Sequence, residues 1–255
     1  MITAMPSQLH AVRAGSGPRV VFVHGSATDH TSWSLQLASS LRDRFTLLSY
    51  DRRREAMTVE DHAADLAHLI ERESGRVLVV GSSFGAVVAI ELVRGWPHLC
   101  AGAILVEPPM AASDSAAAAP AEFFEEFDRR VIEQDGPSAG EYFLRSVLGE
   151  EAFDRIPHAF QERSKAKWRE IRADSVALLA YRPRYAELAS VKTPILLVGG
   201  DRSAAYFAVT LAALEGALGA ARRETVTNAG HMLQAEASRT FNDLVARFAD
   251  EIGLT

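Results

Sequence analysis

Residues 77–85 read Val-Leu-Val-Val-Gly-Ser-Ser-Phe-Gly. Four β-forming apolar residues, Val77 to Val80, run directly into Gly81-Ser82-Ser83-Phe84-Gly85, and a helical pattern begins at Ala86. A strand that turns sharply into a helix with Gly-x-Ser-x-Gly at the bend presents the central serine, Ser83, on a strained corner. Glycine is required at 81 and 85 because a Cβ at either position would collide with the neighbouring strand or helix. The bend also sets Ser83 at a helix N-terminus, where free N–H groups and the helix dipole favour negative charge. With 17 glycines and 20 serines in 255 residues, chance supplies such a motif about 0.09 times, so its setting has to decide its meaning. The flanking strand and helix favour a nucleophile over a glycine-softened surface turn.

Working outward, the length suits one large α/β domain or a domain carrying an insertion. Hydrophobic residues make up 48% and charged residues 24%, the balance of a globular chain. A formal net charge of −6 argues against a nucleic-acid backbone as partner. The run Arg52-Arg53-Arg54, followed by Glu55, is expected to be a solvated loop. The single cysteine, Cys100, excludes an internal disulfide, fits a reducing compartment and reads as a small core residue rather than a catalytic thiol. Met1 to Gly17 shows no apolar stretch behind a basic start, and no apolar run reaches membrane-spanning length. The expectation is a cytoplasmic protein with no membrane partner.

Short apolar runs alternate with helical stretches, the pattern of a mostly parallel sheet covered on both faces. Strands are expected at Val20–Val23, Thr46–Ser49, Val77–Val80, Ala103–Val106, Ile195–Val198 and, more weakly, Glu224–Thr227. Helices are expected at Trp33–Leu41, Val59–Glu73, Ala86–Arg94, Phe207–Leu218 and Ser238–Ile252. One stretch breaks the alternation. An Ala/Ser-rich linker, Ala111 to Ala119, leads into helical patterns that continue to about Tyr185. Residues 121–185 hold 10 of the 20 aromatic residues, which suggests a cap over the sheet's carboxyl edge. Most of those rings are expected to pack the cap and some to line a pocket.

A serine hydroxyl needs a base to take its proton, usually a histidine steadied by a carboxylate. His231 lies in Asn228-Ala229-Gly230-His231-Met232, a glycine-bearing loop between the last weak strand and the terminal helix, from which an imidazole can swing over the nucleophile. For the acid, Asp201 follows Gly199-Gly200 at the end of one strand, and Glu107 directly follows Val106 on its neighbour. Asp201 is the first choice because its loop is nearer in fold order to the usual acid position, and the order Ser83, Asp201, His231 matches the chain order of triads on doubly wound hydrolase sheets. Val20–Val23 ends in His24-Gly25-Ser26, a glycine loop that can face the elbow. The N–H groups of Ser26 and Phe84 are then the candidate oxyanion donors, and His24 is expected to brace that loop.

At these residues the chain resembles the α/β-hydrolase superfamily. The resemblance rests on His24-Gly25, Trp33, Tyr50-Asp51-Arg52, Gly81-Ser82-Ser83-Phe84-Gly85, the segment around Asp201, and Gly230-His231. It spans roughly residues 9–110 and 188–252. It implies an α/β-hydrolase fold: an eight-stranded, mostly parallel, doubly wound sheet with a helical cap inserted after the sixth strand. Residues 1–110 and 188–255 would form the core and residues 111–187 the cap. It also implies a cofactor-free, metal-free serine hydrolase with Ser83, Asp201 and His231 as triad. Two departures stand out: the turn after Arg52 is short and glycine-free through Met57, and little chain precedes Val20 to form the family's first strand. The functional expectation is hydrolysis of a small carboxylic ester. Carbon–carbon bond hydrolysis or a lyase reaction on the same scaffold, or a ligand receptor with negligible turnover, are the alternatives.

Overall fold

The computed structural model describes residues 9–54, 58–73, 75–116 and 120–254. Its centre is a sheet of seven strands: β1 (Ala11–Ala14), β2 (Arg19–Val23), β3 (Thr46–Tyr50), β4 (Val77–Ser82), β5 (Cys100–Val106), β6 (Ile195–Gly200) and β7 (Ala221–Val226). Their spatial order is β1-β3-β2-β4-β5-β6-β7; β1 pairs antiparallel with β3, and every other pairing is parallel. This is the α/β-hydrolase fold, with seven strands among the described residues where eight were expected. The edge strand β1 escaped the sequence reading because its four residues, three half-buried and Arg13 exposed, carry no apolar run; pairing with β3 makes it a strand.

Alternate residues of the central strands feed two apolar layers, as a pleated sheet dictates. Val21 and Val23 face one layer and Val20 and Phe22 the other. Helix α1 (Ser34–Leu37) is a single turn between two 3₁₀ segments, so the expected helix at Trp33–Leu41 is broken rather than continuous. Helices α2 (Val59–Glu71) and α3 (Phe84–Gly95) cover the first layer. Six helices follow β5: α4 (Ala121–Glu133), α5 (Gly136–Leu148), α6 (Glu150–Asp154), α7 (His158–Lys165), α8 (Trp168–Ala180) and α9 (Tyr185–Leu188). The chain then re-enters the sheet at β6 and adds α10 (Ala205–Ala217), α11 (Leu233–Glu236) and α12 (Ser238–Glu251), with α12 covering the second layer.

The helical insert has an apolar centre of its own around Phe127, Ala139, Leu144, Phe153 and Ile171. Two buried charged contacts tie it to the sheet body. Glu91 of α3 accepts from Tyr181 Oη at 3.2 Å and from Arg184 Nη2 at 3.1 Å. Asp174 of α8 takes both terminal nitrogens of Arg52, at 2.7 and 3.0 Å. The arginine run is therefore not a solvated loop: Arg52 is buried on Asp174, Arg53 is held on Asp65, and only Arg54 is largely exposed. Cys100 is buried, and burial pushes its thiol up to about 12, as suits a core residue. The start of the chain up to residue 8, the glycine-free turn at 55–57 and the end of the alanine-rich linker at 117–119 lie outside the described residues.

Candidate active site

The elbow takes the shape its sequence demands. Strand β4 ends at Ser82, helix α3 begins at Phe84, and Ser83 between them has φ 54° and ψ −124°, a conformation that costs a non-glycine residue free energy. Its amide donates to Val106 O at 2.8 Å, and its carbonyl accepts from Ala86 N at 2.8 Å, so both neighbouring elements hold the strained residue. A Cβ on Gly81 would lie 2.3 Å from Gly85 O, and one on Gly85 would lie 2.3 Å from Val23 O. Ser82 is buried and Ser83 partly exposed, and both contribute to the lining of one large cavity.

His231 lines the same cavity. Its ring lies flat on Phe207, with centroids 4.3 Å apart and planes 9° off parallel. The Nδ1–H donates to Glu107 Oε2 at 2.6 Å, leaving Nε2 for a proton transfer. The loop around it is fixed from α11: Glu236 accepts from Gly230 N at 3.0 Å and from Met232 N at 3.2 Å, one bond on each side of the histidine.

The carboxylate on the imidazole is thus Glu107 and not Asp201, which corrects the sequence expectation. Glu107 directly follows β5, has φ 44°, and its amide donates to Val198 O, which turns its side chain across the end of β6. Its Oε1 accepts from Gly200 N at 2.7 Å; a Cβ on Gly200 would lie 2.2 Å from Ala229 O, so that glycine lets the loop before His231 pass close to the end of β6. Asp201 has passed the strand end, is exposed, and accepts from Ala229 N at 3.3 Å, so it supports the turn that precedes the histidine loop. The signal in the sequence was the position of Glu107, a carboxylate directly after the apolar run of the strand beside the one that leads to Asp201.

The other expected elements also converge. Gly25 packs against the elbow, where a Cβ would stand 3.0 Å from Ser83 Cβ, and Ser26 lines the cavity beside Ser83. Phe84 is fully buried as the first residue of α3. His24 braces the loop: its Nδ1–H donates to Gly25 O at 2.8 Å and its Nε2 accepts from Arg52 N at 3.1 Å. The cavity encloses about 700 Å³. Insert residues Phe143, Leu144, Val147, Phe153, Ile156 and Phe160 give it a mainly apolar wall, so three of the ten insert aromatics face it, while Phe123, Phe127 and Tyr142 pack within the insert.

Among the described residues, His10, His30 and Asp51 form the one group whose donor atoms could gather round a metal, all within 4.8 Å of one another. Both the backbone and ring N–H of His30 already donate to Asp51 Oδ1, at 2.9 and 2.8 Å, and none of the three lines the large cavity. No helix of the described residues is long and apolar enough to cross a membrane.

Comparison with known proteins bears on the family and the fold. The sequence profile of the Alpha/beta hydrolase family matches residues 20–244. The chain belongs to the alpha/beta hydrolase family. Its structure superposes on a thermophilic esterase from Thermogutta terrifontis with a TM-score of 0.80 at 23% identity, covering 99% of this chain and 97% of that one. The enol-lactonase from Burkholderia xenovorans LB400 gives a TM-score of 0.80 at 19% identity, with 95% and 96% covered. In sequence, this alpha/beta hydrolase is 35% identical over 116 residues to lipase LipV of Mycobacterium tuberculosis, a match spanning 42% of this chain and 44% of the lipase. The sequence matches to curated relatives span less than half of those proteins' length.

Two buried histidines make this hydrolase's stability pH-dependent. Burial, reinforced by the Arg52 charge, lowers both His24 and His62 to about 3. The unfolded chain therefore takes up these protons first, near pH 6.5. The stability they contribute is complete above that pH and is lost as pH falls toward 3, at up to about 1.4 kcal/mol per pH unit for each histidine. Melting temperatures from pH 7.5 to 4.5 should fall, and His62→Asn should make the decline measurably shallower. Parallel declines in variant and parent would show that His62 is not kept neutral in the fold.

Proposed function

We propose that the protein is a serine hydrolase of carboxylic esters, with Ser83 as nucleophile, His231 as base and Glu107 as the acid that orients it. The observation that carries this reading is the buried Glu107–His231 pair, whose histidine lines the same cavity as a serine on a strained strand-to-helix elbow. In the reaction, His231 Nε2 takes the Ser83 hydroxyl proton as Oγ attacks the ester carbonyl. The carbonyl oxygen becomes an oxyanion that the N–H groups of Ser26 and Phe84 receive. Collapse of the intermediate breaks the C–O bond, and the leaving alcohol takes the proton from His231. Water, deprotonated by His231, then attacks the acyl-enzyme, and Ser83 Oγ leaves with that proton. Glu107 stabilises the imidazolium formed in each half and keeps Nδ1 as the protonated nitrogen.

The insert acts as a cap in this reading, and its apolar wall supports an acyl or aryl group as the part of the substrate it accepts. The chain would work as a small-molecule enzyme with no cofactor. The superposition on an esterase and on an enol-lactonase supports ester-type carbonyl chemistry on this scaffold without selecting among open-chain esters and lactones.

Steady-state hydrolysis of nitrophenyl esters tests the assignment of roles. Ser83→Ala should lower kcat by about 10⁵- to 10⁶-fold, while Ser82→Ala, altered in the buried strand, stays active. Glu107→Gln keeps the acceptor for Gly200 N but no longer fixes the tautomer, and should lower kcat by about 10³- to 10⁴-fold. Asp201→Asn should change it less than about tenfold, within what a surface substitution near a loop produces. A larger loss at Asp201 than at Glu107 would remove Glu107 from its role.

Acyl-chain length tests the cap. Burying one methylene is worth about 0.8 kcal/mol, so kcat/KM should rise up to about fourfold per methylene from acetate toward hexanoate, where the contact persists in the transition state. Phe160→Ala or Phe143→Ala should flatten that slope and leave acetate hydrolysis nearly unchanged. A parent enzyme whose activity falls from acetate to hexanoate would exclude the apolar wall as an acyl pocket.

A further inference from the structure

The loop after β2 is gripped from the insert. Ser26 Oγ donates to Asp174 Oδ2 at 2.7 Å, and the same oxygen accepts from Arg52 Nη2 at 2.7 Å while Nη1 reaches Oδ1 at 3.0 Å. Arg52 returns to the loop, with Nε donating to His24 O and Nη2 to Gly25 O, each at 3.2 Å. The loop hydroxyl thus bonds the α8 carboxylate directly, and two loop carbonyls are tied to it through Arg52. The side chains of Arg52 and Asp174 are 5% and 7% exposed, so water screens the pair little. Burial alone would raise the Asp174 carboxyl, but the Arg52 charge and the hydrogen bonds from Arg52 and Ser26 hold it below the usual carboxylate range.

The next residue strengthens the grip. Ala27 has φ 61°, a left-handed conformation that an alanine keeps only when its surroundings impose it. Its side chain is buried in the insert's own apolar centre with Phe127, Leu144 and Phe153. On the other side of Ser26, Gly25 lies against Ser83. Ser26 therefore stands between a residue pressed on the nucleophile and a residue embedded in the insert.

We propose that Asp174 is a positioning residue: through Ser26 and Arg52 it fixes the loop whose Ser26 N–H receives the oxyanion, which makes the insert part of the catalytic apparatus. This rests on the reading of Ser83 as nucleophile and Ser26 N–H as oxyanion donor. Such donors act only when aimed at the place where charge develops, and deleting one costs about 10²- to 10³-fold in rate. Loosening the aim of a retained N–H costs less, about 10- to 100-fold.

The test uses the full chain and a fluorophosphonate probe, whose phosphonyl oxygen occupies the oxyanion position. Ser83 Oγ bonds to phosphorus, fluoride leaves, and the serine proton passes to His231. Ser26→Ala deletes one oxygen and keeps the backbone N–H. It should slow labelling and lower kcat for an acetate ester by the same 10- to 100-fold factor, with KM within about twofold. Ser26→Thr, which keeps the hydroxyl, should recover most of that loss, and Asp174→Asn should reproduce it. Asp128→Asn breaks the ion pair that Arg172 of the same helix makes with α4, and labelling should then proceed at the parent rate. If Asp174→Asn does not fold, as circular dichroism would reveal, the two Ser26 variants decide alone. Labelling of Ser26→Ala at the parent rate, with only a lower melting temperature, overturns the proposal. Labelling that persists in Ser83→Ala instead overturns the nucleophile on which it rests.

Discussion

The tight crossing of α3 over β2 at the elbow constrains everything at the carboxyl edge of the sheet. Gly85 passes so close to Val23 and His24 that no side chain fits, and Gly81 meets the backbone of Gly85 in the same way. The chain can turn from β4 into α3 within one residue only because these two positions lack a Cβ, and the residue at the turn, Ser83, absorbs the strain in a φ of 54°. The same crossing seats the loop after β2 on Ser83, where a Cβ of Gly25 would stand 3.0 Å from Ser83 Cβ. A parallel sheet brings the ends of β2, β4, β5 and β6 to one edge, so the groups these strands deliver need only short loops to meet.

The charges at this edge are arranged in pairs that water does not reach. Glu107 shares its two oxygens between His231 and Gly200 N, and Asp174 divides its own between Arg52 and Ser26. Removing one member of a buried pair typically costs about 3–5 kcal/mol because the survivor is left uncompensated. Each pair therefore links distant parts of the chain: Glu107 joins β5, β6 and the loop before α11, and Asp174 joins the insert to the loop after β2. The glutamate at 91 plays a similar part between α3 and the end of the insert. The insert is thus attached to the sheet body by these buried polar contacts, by a further ion pair between Lys167 and Asp29, and by Ala177, Tyr181 and Leu188, which pack into the apolar layer beside α2 and α3.

Much of this architecture could be read in the residues. Continuous apolar runs such as Val77–Val80 and Ile195–Val198 marked the central strands, because a strand buried on both faces needs no alternation. The glycine spacing at 81–85 marked the elbow, and Gly230-His231 marked the histidine loop. The edge strand Ala11–Ala14 could not be read this way, since its pairing partner, not its composition, makes it a strand. Both Asp201 and Glu107 lie between Ser83 and His231 in the chain, and fold order favoured Asp201, yet it is Glu107 whose carboxylate reaches the imidazole in three dimensions. The arginine run misled for a similar reason. Arg52 is buried by a carboxylate 122 residues away, a partner no local pattern discloses.

The central claim is that Ser83 carries an acyl group during turnover, with the Glu107–His231 pair serving it. Mass spectrometry after rapid mixing with a slowly deacylating ester, such as a nitrophenyl pivalate, measures this directly. The account predicts one pivaloyl group per chain, on the peptide that contains Ser83, appearing as nitrophenol is released and lost again as hydrolysis completes. Release of nitrophenol with no acylated chain at any time, or an acyl group on a peptide that lacks Ser83, would contradict it.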